Sequence, residues 1–353
     1  MINRLIDSIK ADFDAALIIS PVNRRYFTGF ESSDGFLVLS ANGSRFFTDG
    51  RYIEAAQKTV KTCPCEEAVR PYEQIKAYFN EINAKEIAVE ASFLTIAQFN
   101  RLKEKLPEFN FHADGRLDSV IEGLRKTKTK AELENIKAAQ KITDEAFSYI
   151  LGRIKEGMTE RELALELDFY LLKSGAEELS FKTIAVSGEN SSMPHGVPSD
   201  KKLKKGDMIT LDFGAVYNGY HSDMTRTVVL GKADAEQKRV YNTVLKAQLE
   251  CLSMLKAGVT SAEADKAARN VIEAAGYGKY FSHSTGHGVG LEIHEEPRLS
   301  SLVNEELKEG NIVTVEPGIY IPGSFGVRIE DMAYITREGI INLTASPKEL
   351  IEL

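Results

Sequence analysis

Short apolar runs bounded by turn residues alternate with helix-period stretches over the first third of the chain. Residues 15–20 (AALIIS) form an apolar run stopped by Pro21 and predict a buried strand. Residues 36–40 and 45–48 predict two more, and the Asn42-Gly43 dipeptide between them is a hairpin signal. Residues 86–90 (EIAVE) predict a fourth, while 50–60, 71–83 and 95–106 carry helical spacing. This alternation predicts a small α/β domain. The texture changes near Gly123. Residues 128–155 hold apolar side chains at helical intervals (Leu133, Ile136, Ala139, Ile142, Phe147, Ile150) and predict one long helix. A chain of 353 residues is too long for one ordinary core, so two domains are expected, 1–122 and 123–353.

The second segment repeats itself. Ile154-Lys155-Glu156-Gly157-Met158-Thr159 is echoed by Leu255-Lys256-Ala257-Gly258-Val259-Thr260, an offset of 101 residues. Each copy opens a helix with a capping box, Thr159 with Glu162 and Thr260 with Glu263. Each helix closes at a glycine, Gly175 or Gly276. A second echo follows at an offset of 104: LKKGDMITLDFG starting at Leu203, and LKEGNIVTVEPG starting at Leu307. Each copy reads as a turn and an apolar strand ending in a carboxylate. The expected class is therefore α+β, with two pseudo-symmetric halves behind a smaller α/β domain.

A carboxylate ending a buried strand is costly unless something neutralises it. Asp212 follows MITL and Glu316 follows IVTV, where a purely structural sequence would place Val or Ile. Each is followed by a further strand bearing an acid, Asp223 in HSDMTRTVV and Glu330 in GVRIEDMAYI. Four carboxylates converging from related hairpins repel one another, and divalent cations are the natural compensation. His287, within STGHGVG, is a fifth candidate, with glycines on both sides that let backbone and ligand approach. Four carboxylates and a neutral imidazole match the charge of two divalent cations, which would acidify a bridging water to hydroxide at neutral pH. Taken singly, each residue is more ordinarily a cap, a salt bridge or a satisfied core group. Their matched places in a repeat select the metal reading.

Composition narrows the partners. The net charge of −8, from 44 Lys and Arg against 52 Asp and Glu, argues against nucleic acid. The short basic clusters at 125–130 and 201–205 read as solvated faces. No apolar run reaches the length of a membrane span, and MINRLIDSIKADFD lacks a secretory apolar region, so no membrane partner and a cytoplasmic location are expected. Three cysteines make no disulfide framework. Cys63 and Cys65 lack a second pair to complete a tetrahedral metal site, and Cys251 reads as a buried helix residue. The glycines from Gly286 to Gly290 lack G-x-G-x-x-G spacing, against a dinucleotide site.

His195-Gly196, Leu211 through Gly214, Asp223, Ser284 through His294, Glu316-Pro317-Gly318 and Gly326 through Asp331 together resemble the pita-bread (creatinase and methionine aminopeptidase-like) metallopeptidases. Within them the chain is most similar to the Xaa-Pro peptidases, prolidase (Xaa-Pro dipeptidase) and aminopeptidase P. The resemblance covers the chain from about residue 123 onward, with a weaker match in size and alternation before it. It implies a pita-bread catalytic domain in which Asp212 chelates one metal, His287 and Glu316 bind the other, and Asp223 and Glu330 bridge both. Manganese or cobalt is the implied pair, with zinc or iron compatible, and a homodimer is the implied assembly. Glu316 would shuttle a proton to the proline nitrogen, which has no N–H and must be protonated to leave. His195 and His294 would steady the scissile carbonyl, and His283 would line the proline pocket. By the same resemblance Arg298 reads the free carboxylate of a dipeptide, in a loop set by Pro297. That favours proline-containing dipeptides over the longer peptides of aminopeptidase P. Arg328 reads as support for a carboxylate ligand, on the strand face of Glu330, and Tyr320 as a weaker support. Methionine aminopeptidase shares the five ligands, but the N-terminal segment and Arg298 argue against it. Creatinase lacks the metal, and a catalytically silent binding module should have lost ligands that are all present here.

Overall fold

The apolar run at Ala15–Ile18 lies inside a six-stranded mixed sheet in the computed structural model, which describes residues 1–353 and separates into two units, Met1–Arg125 and Lys126–Leu353. Across the sheet of the first unit the strands run Cys65–Glu67, Gly43–Thr48, Phe36–Ser40, Ala15–Ile18, Glu86–Val89, Asn110–His112. Ala15–Ile18 pairs antiparallel with Phe36–Ser40 and parallel with Glu86–Val89. Alternate side chains feed two cores. Ala16 and Ile18 join Leu5, Phe27 and Leu37, while Ala15 and Leu17 join Phe47, Phe79 and Ile87.

Three details differ from the sequence expectation, each for a local reason. The first strand stops at Ile18 because Ser20 caps a helix, Pro21–Thr28, with proline at its first position. The hairpin turn is Ala41-Asn42, since Ser40 pairs with Gly43, and Gly43 opens the next strand at φ 145°. The strands Cys65–Glu67 and Asn110–His112 and the helices Ile2–Ile9 and Arg116–Lys126 had no predicted counterpart. Three-residue strands are too short to show a period. The predicted helices form as Ile53–Thr59, Pro71–Glu81 and Ile96–Lys105.

In the second unit the internal repeat becomes visible as architecture. One half sets Met208–Phe213 between Ile184–Ser187 and Met224–Val229 in a three-stranded antiparallel sheet. The other sets Ile312–Val315 between Gly286–Gly288 and Asp331–Ile335, with Glu295–Leu299 and Ile340–Asn342 at the edges. Each half carries two helices, Lys130–Leu151 with Glu160–Lys173, and Ala235–Met254 with Ser261–Ala274. The long helix is shorter than the predicted 128–155 because Thr129 and Glu132 form a capping box at its start. Both capping boxes of the repeat are formed, and Gly175 and Gly276 follow their helices at φ 100° and 84°. Leu163, Leu167 and Leu171 pack with Leu211 and Phe213, as Ala264, Ala268 and Ile272 pack with Val313 and Val315. The halves are stitched together at one seam. The Glu330 N–H donates to the Thr225 carbonyl at 3.0 Å, and the Thr227 hydroxyl donates to the Arg328 carbonyl at 2.9 Å. No helix is long and apolar enough to cross a membrane.

Candidate metal centre

The acids stand where the ladders of the repeat give out. Asp212 is next to last in Met208–Phe213, opposite Thr225, and Asp223 directly precedes Met224–Val229. Glu316 and Glu330 had been expected within strands. Instead each occupies a break, Glu316 between Ile312–Val315 and Gly318–Ile321, Glu330 between Phe325–Arg328 and Asp331–Ile335. Pro317 has no N–H, so the ladder ends after Val315. The Glu330 N–H is spent on Thr225 across the seam. His287 lies in Gly286–Gly288, where a Cβ on either glycine would collide with backbone oxygens of Thr314 or Glu296. The flanking glycines thus admit neighbouring strands.

Ligand atoms of Asp223, His287 and Glu330 all lie within 4.8 Å of one another. His287 Nε2 is 3.6 Å from Asp223 Oδ2 and 3.3 Å from Glu316 Oε1. Its Nδ1 faces the Gly288 carbonyl at 3.0 Å, so Nδ1 carries the proton and Nε2 turns its lone pair into the space between the acids. Asp212 joins through Arg328, whose Nη2 donates to Asp212 Oδ2 at 2.6 Å. The same guanidinium donates from Nη1 to the Tyr320 hydroxyl at 2.7 Å and from Nε to Thr225 Oγ1 at 3.0 Å. Arg328 therefore supports the carboxylate of Asp212, and the strand that carries it ends before Glu330. Tyr320 also meets His283 Nε2 at 2.9 Å, while His283 Nδ1 faces the Ser284 carbonyl at 2.8 Å. The His294 ring packs edge-on against His287 with centroids 4.3 Å apart. His195 is exposed. Arg298 lies in the strand Glu295–Leu299, where a loop was expected, with 63% of its side chain exposed and Glu296 Oε1 3.7 Å from Nε.

Two residues that the sequence reading did not single out hold the acids in place. Thr225 Oγ1 donates to Glu330 Oε2 at 2.7 Å, and Thr314 Oγ1 donates to Glu316 Oε1 at 3.2 Å. The signal for Thr314 was available. Thr210 and Thr314 recur two residues before the acid in both copies of the repeat, which puts hydroxyl and carboxylate on one face of a strand.

Does this pocket suit a cation? Burial, then the neighbouring carboxylates, pushes the Asp223 and Glu330 carboxyls well above the usual range. Burial raises Glu316 to about 8, against the pull of Arg328. Burial also holds His287 down to about 4, so its imidazole is neutral and ready to ligate. Asp212 Oδ1 is buried with no hydrogen-bond partner. Four carboxylates face one guanidinium, an excess of negative charge that protein groups leave uncompensated. Hard oxygen donors, one neutral nitrogen and an orphaned oxygen fit divalent metal.

Comparison with known proteins places the chain among metallopeptidases. Residues 134–337 match the model of metallopeptidase family M24, and residues 1–127 match the creatinase/prolidase N-terminal domain. The chain is 40% identical over 344 residues to an Xaa-Pro dipeptidase of Pyrococcus furiosus, covering 96% of this chain and 95% of that one. Its fold is similar to an Xaa-Pro dipeptidase from Bacillus anthracis, with a TM-score of 0.95 and 42% identity over 100% of this chain and 99% of the other. It is also similar to an X-Pro aminopeptidase from Thermotoga maritima, with a TM-score of 0.93 and 37% identity at the same coverage. Pseudo-symmetric halves, buried acids around a neutral histidine and relatives matched along the whole chain lead to one conclusion: this chain belongs to metallopeptidase family M24 and is a metal-dependent peptidase.

Proposed function

We propose that the chain cleaves the peptide bond before proline, preferring Xaa-Pro dipeptides, with two divalent cations held by Asp212, Asp223, His287, Glu316 and Glu330. The observation that carries this is the convergence of Asp223, His287 and Glu330 within 4.8 Å, in a group of four acids that has a single guanidinium, Arg328, to offset it. Asp223 and Glu330 would be shared by both cations, Asp212 would hold one, and His287 and Glu316 would hold the other. When bound, such a pair supplies an acidified water and counter-charge for the developing oxyanion. Manganese or cobalt is the proposed pair, in a cytoplasmic homodimer.

The side chains divide the remaining work. Glu316 Oε1 accepts from the Thr314 hydroxyl, so Oε2 is the atom to carry a proton to the proline nitrogen. His283 has both ring nitrogens engaged and is held near 4 by burial and by Arg328, so it presents a neutral wall to the proline ring. His294 and His195 steady the scissile carbonyl. The Arg298 charge lowers His294 next after burial, and lowers His287 after burial and the neighbouring His294. Its exposed guanidinium is the clamp for the free carboxylate of a dipeptide.

The direct test is hydrolysis of Ala-Pro against Ala-Pro-Ala by manganese-loaded protein, with a chelated control. Faster turnover of Ala-Pro, lost on chelation, is the expected outcome; cleavage of neither peptide would refute the proposal. Similarity to the Thermotoga X-Pro aminopeptidase favours one alternative, action on longer peptides, which faster turnover of Ala-Pro-Ala would establish. Arg298→Ala should impair the dipeptide by about 10–100-fold, the loss of a charge-assisted contact worth about 1.5–3 kcal/mol, and the tripeptide much less. Equal losses on both peptides would remove Arg298 from substrate reading.

A further inference from the structure

Glu160 departs from the pseudo-symmetry of its half. It is the first residue of the helix Glu160–Lys173, and the repeat pairs it with Ser261, the first residue of Ser261–Ala274. The backbones match. The Glu160 N–H donates to the Lys201 carbonyl at 3.0 Å and the Ser261 N–H to the Glu305 carbonyl at 2.9 Å. Both residues are 0% exposed. Burying a carboxylate where the twin half needs only a hydroxyl is costly, so its contacts must return something.

Those contacts fall on one loop. Glu160 Oε1 accepts from the Ser187 N–H at 2.7 Å, the Ser187 hydroxyl at 2.9 Å and Asn190 Nδ2 at 3.1 Å. Glu160 Oε2 accepts from the Ser199 N–H at 3.1 Å, the Ser199 hydroxyl at 2.6 Å and Asn190 Nδ2 at 3.0 Å. Each carboxylate oxygen thus holds one end of the segment between Ser187 and Ser199, and Asn190 within it touches both. That segment carries His195. It also rests on the metal centre: the Pro194 carbonyl accepts from Arg328 Nη1 at 3.3 Å, and Ser191 Oγ accepts from the Gly326 N–H at 2.9 Å. The His195 ring is exposed and takes part in no hydrogen bond. Its position depends on its loop.

We infer that Glu160 is a positioning residue, which ties both ends of the 187–199 loop and so fixes His195 for the scissile carbonyl. This rests on the role given to His195 in the proposed function. Gln keeps the shape at 160 but replaces one acceptor oxygen with a donor aimed at other donors. The test compares wild type, Glu160→Gln, His195→Ala and the double variant, all manganese-loaded, on Ala-Pro. Hydrogen exchange over residues 188–198 is followed in the same proteins.

Glu160→Gln should lower kcat by about 10–100-fold, the scale of a displaced reacting group, with KM changed less than about threefold. Added to His195→Ala it should cost nothing further, and exchange over 188–198 should quicken. Additive losses, or a lower melting temperature with unchanged kcat, would reduce Glu160 to a structural residue and overturn the inference. Unchanged exchange protection would overturn it too. Wild type inactive on Ala-Pro would instead count against the proposed function, while the exchange measurement still decides the clamp. If Glu160→Gln fails to fold, Ser199→Ala removes a single donor to Oε2 and carries the same comparison.

Discussion

Asp223→Asn and Glu330→Gln are each expected to eliminate turnover of Ala-Pro, by more than about 10³-fold, and to leave the purified protein without bound divalent metal. A loss of that size corresponds to about 4 kcal/mol of barrier reduction, within what a metal-held nucleophile and counter-charge supply. The geometry explains why one oxygen matters. The two carboxyls share a 4.8 Å cluster with His287, and an amide offers a neutral oxygen and an N–H donor where a cation needs charge. Elemental analysis of dialysed protein and a turnover assay check both halves of the expectation. Activity near wild type in either variant would sink the proposed site.

The same acids set a pH signature for the metal-free fold. Their folded pKa values lie above the unfolded ones, Glu316 at about 8 against 4.5 and Asp223 and Glu330 also raised. The fold therefore holds protons that the unfolded chain has already released, and stability contributed by Glu316 falls as pH rises through that interval. Cation binding displaces those protons. The gap between the melting midpoints of manganese-loaded and chelated protein should widen from pH 5 to pH 8. A gap that narrows would contradict the crowding of acids on which the site depends.

Arg328→Met is expected to destabilise the second unit by about 3–5 kcal/mol, the cost of removing one partner from a buried ion pair. For a unit of this size that is a fall of roughly 6–20 °C in its melting midpoint. The guanidinium is buried and serves Asp212, Tyr320, Thr225 and the Pro194 carbonyl together. Lysine presents one ammonium where those partners need a planar fork, so Arg328→Lys should recover little. Calorimetry of metal-free protein isolates the effect from cation binding. A midpoint within about 2 °C of wild type, below the shift from 1 kcal/mol, would show that Asp212 is supported by other means.

What the sequence determined alone is the inventory and its symmetry. Capping boxes, closing glycines and apolar periods act over a few residues, so Thr159, Thr260, Gly175 and Gly276 were legible as the ends of twin helices. An acid where a buried strand should carry Val or Ile is a local anomaly, and a repeat makes it count twice. That is why Asp212 and Glu316 were visible before any coordinates. Contacts across the seam are another matter. Arg328 meets Asp212 from 116 residues away and Thr225 meets Glu330 from 105, while Glu160 reaches Ser199 from 39. No local period encodes such partners, because they follow from how two twisted sheets and their helices pack against each other. Spacing placed Arg328 on the face of Glu330, yet the strand ended first, and the packed guanidinium turned to Asp212. Only the tertiary structure decided which side chain holds which acid, since that choice depends on distances that the chain acquires by folding.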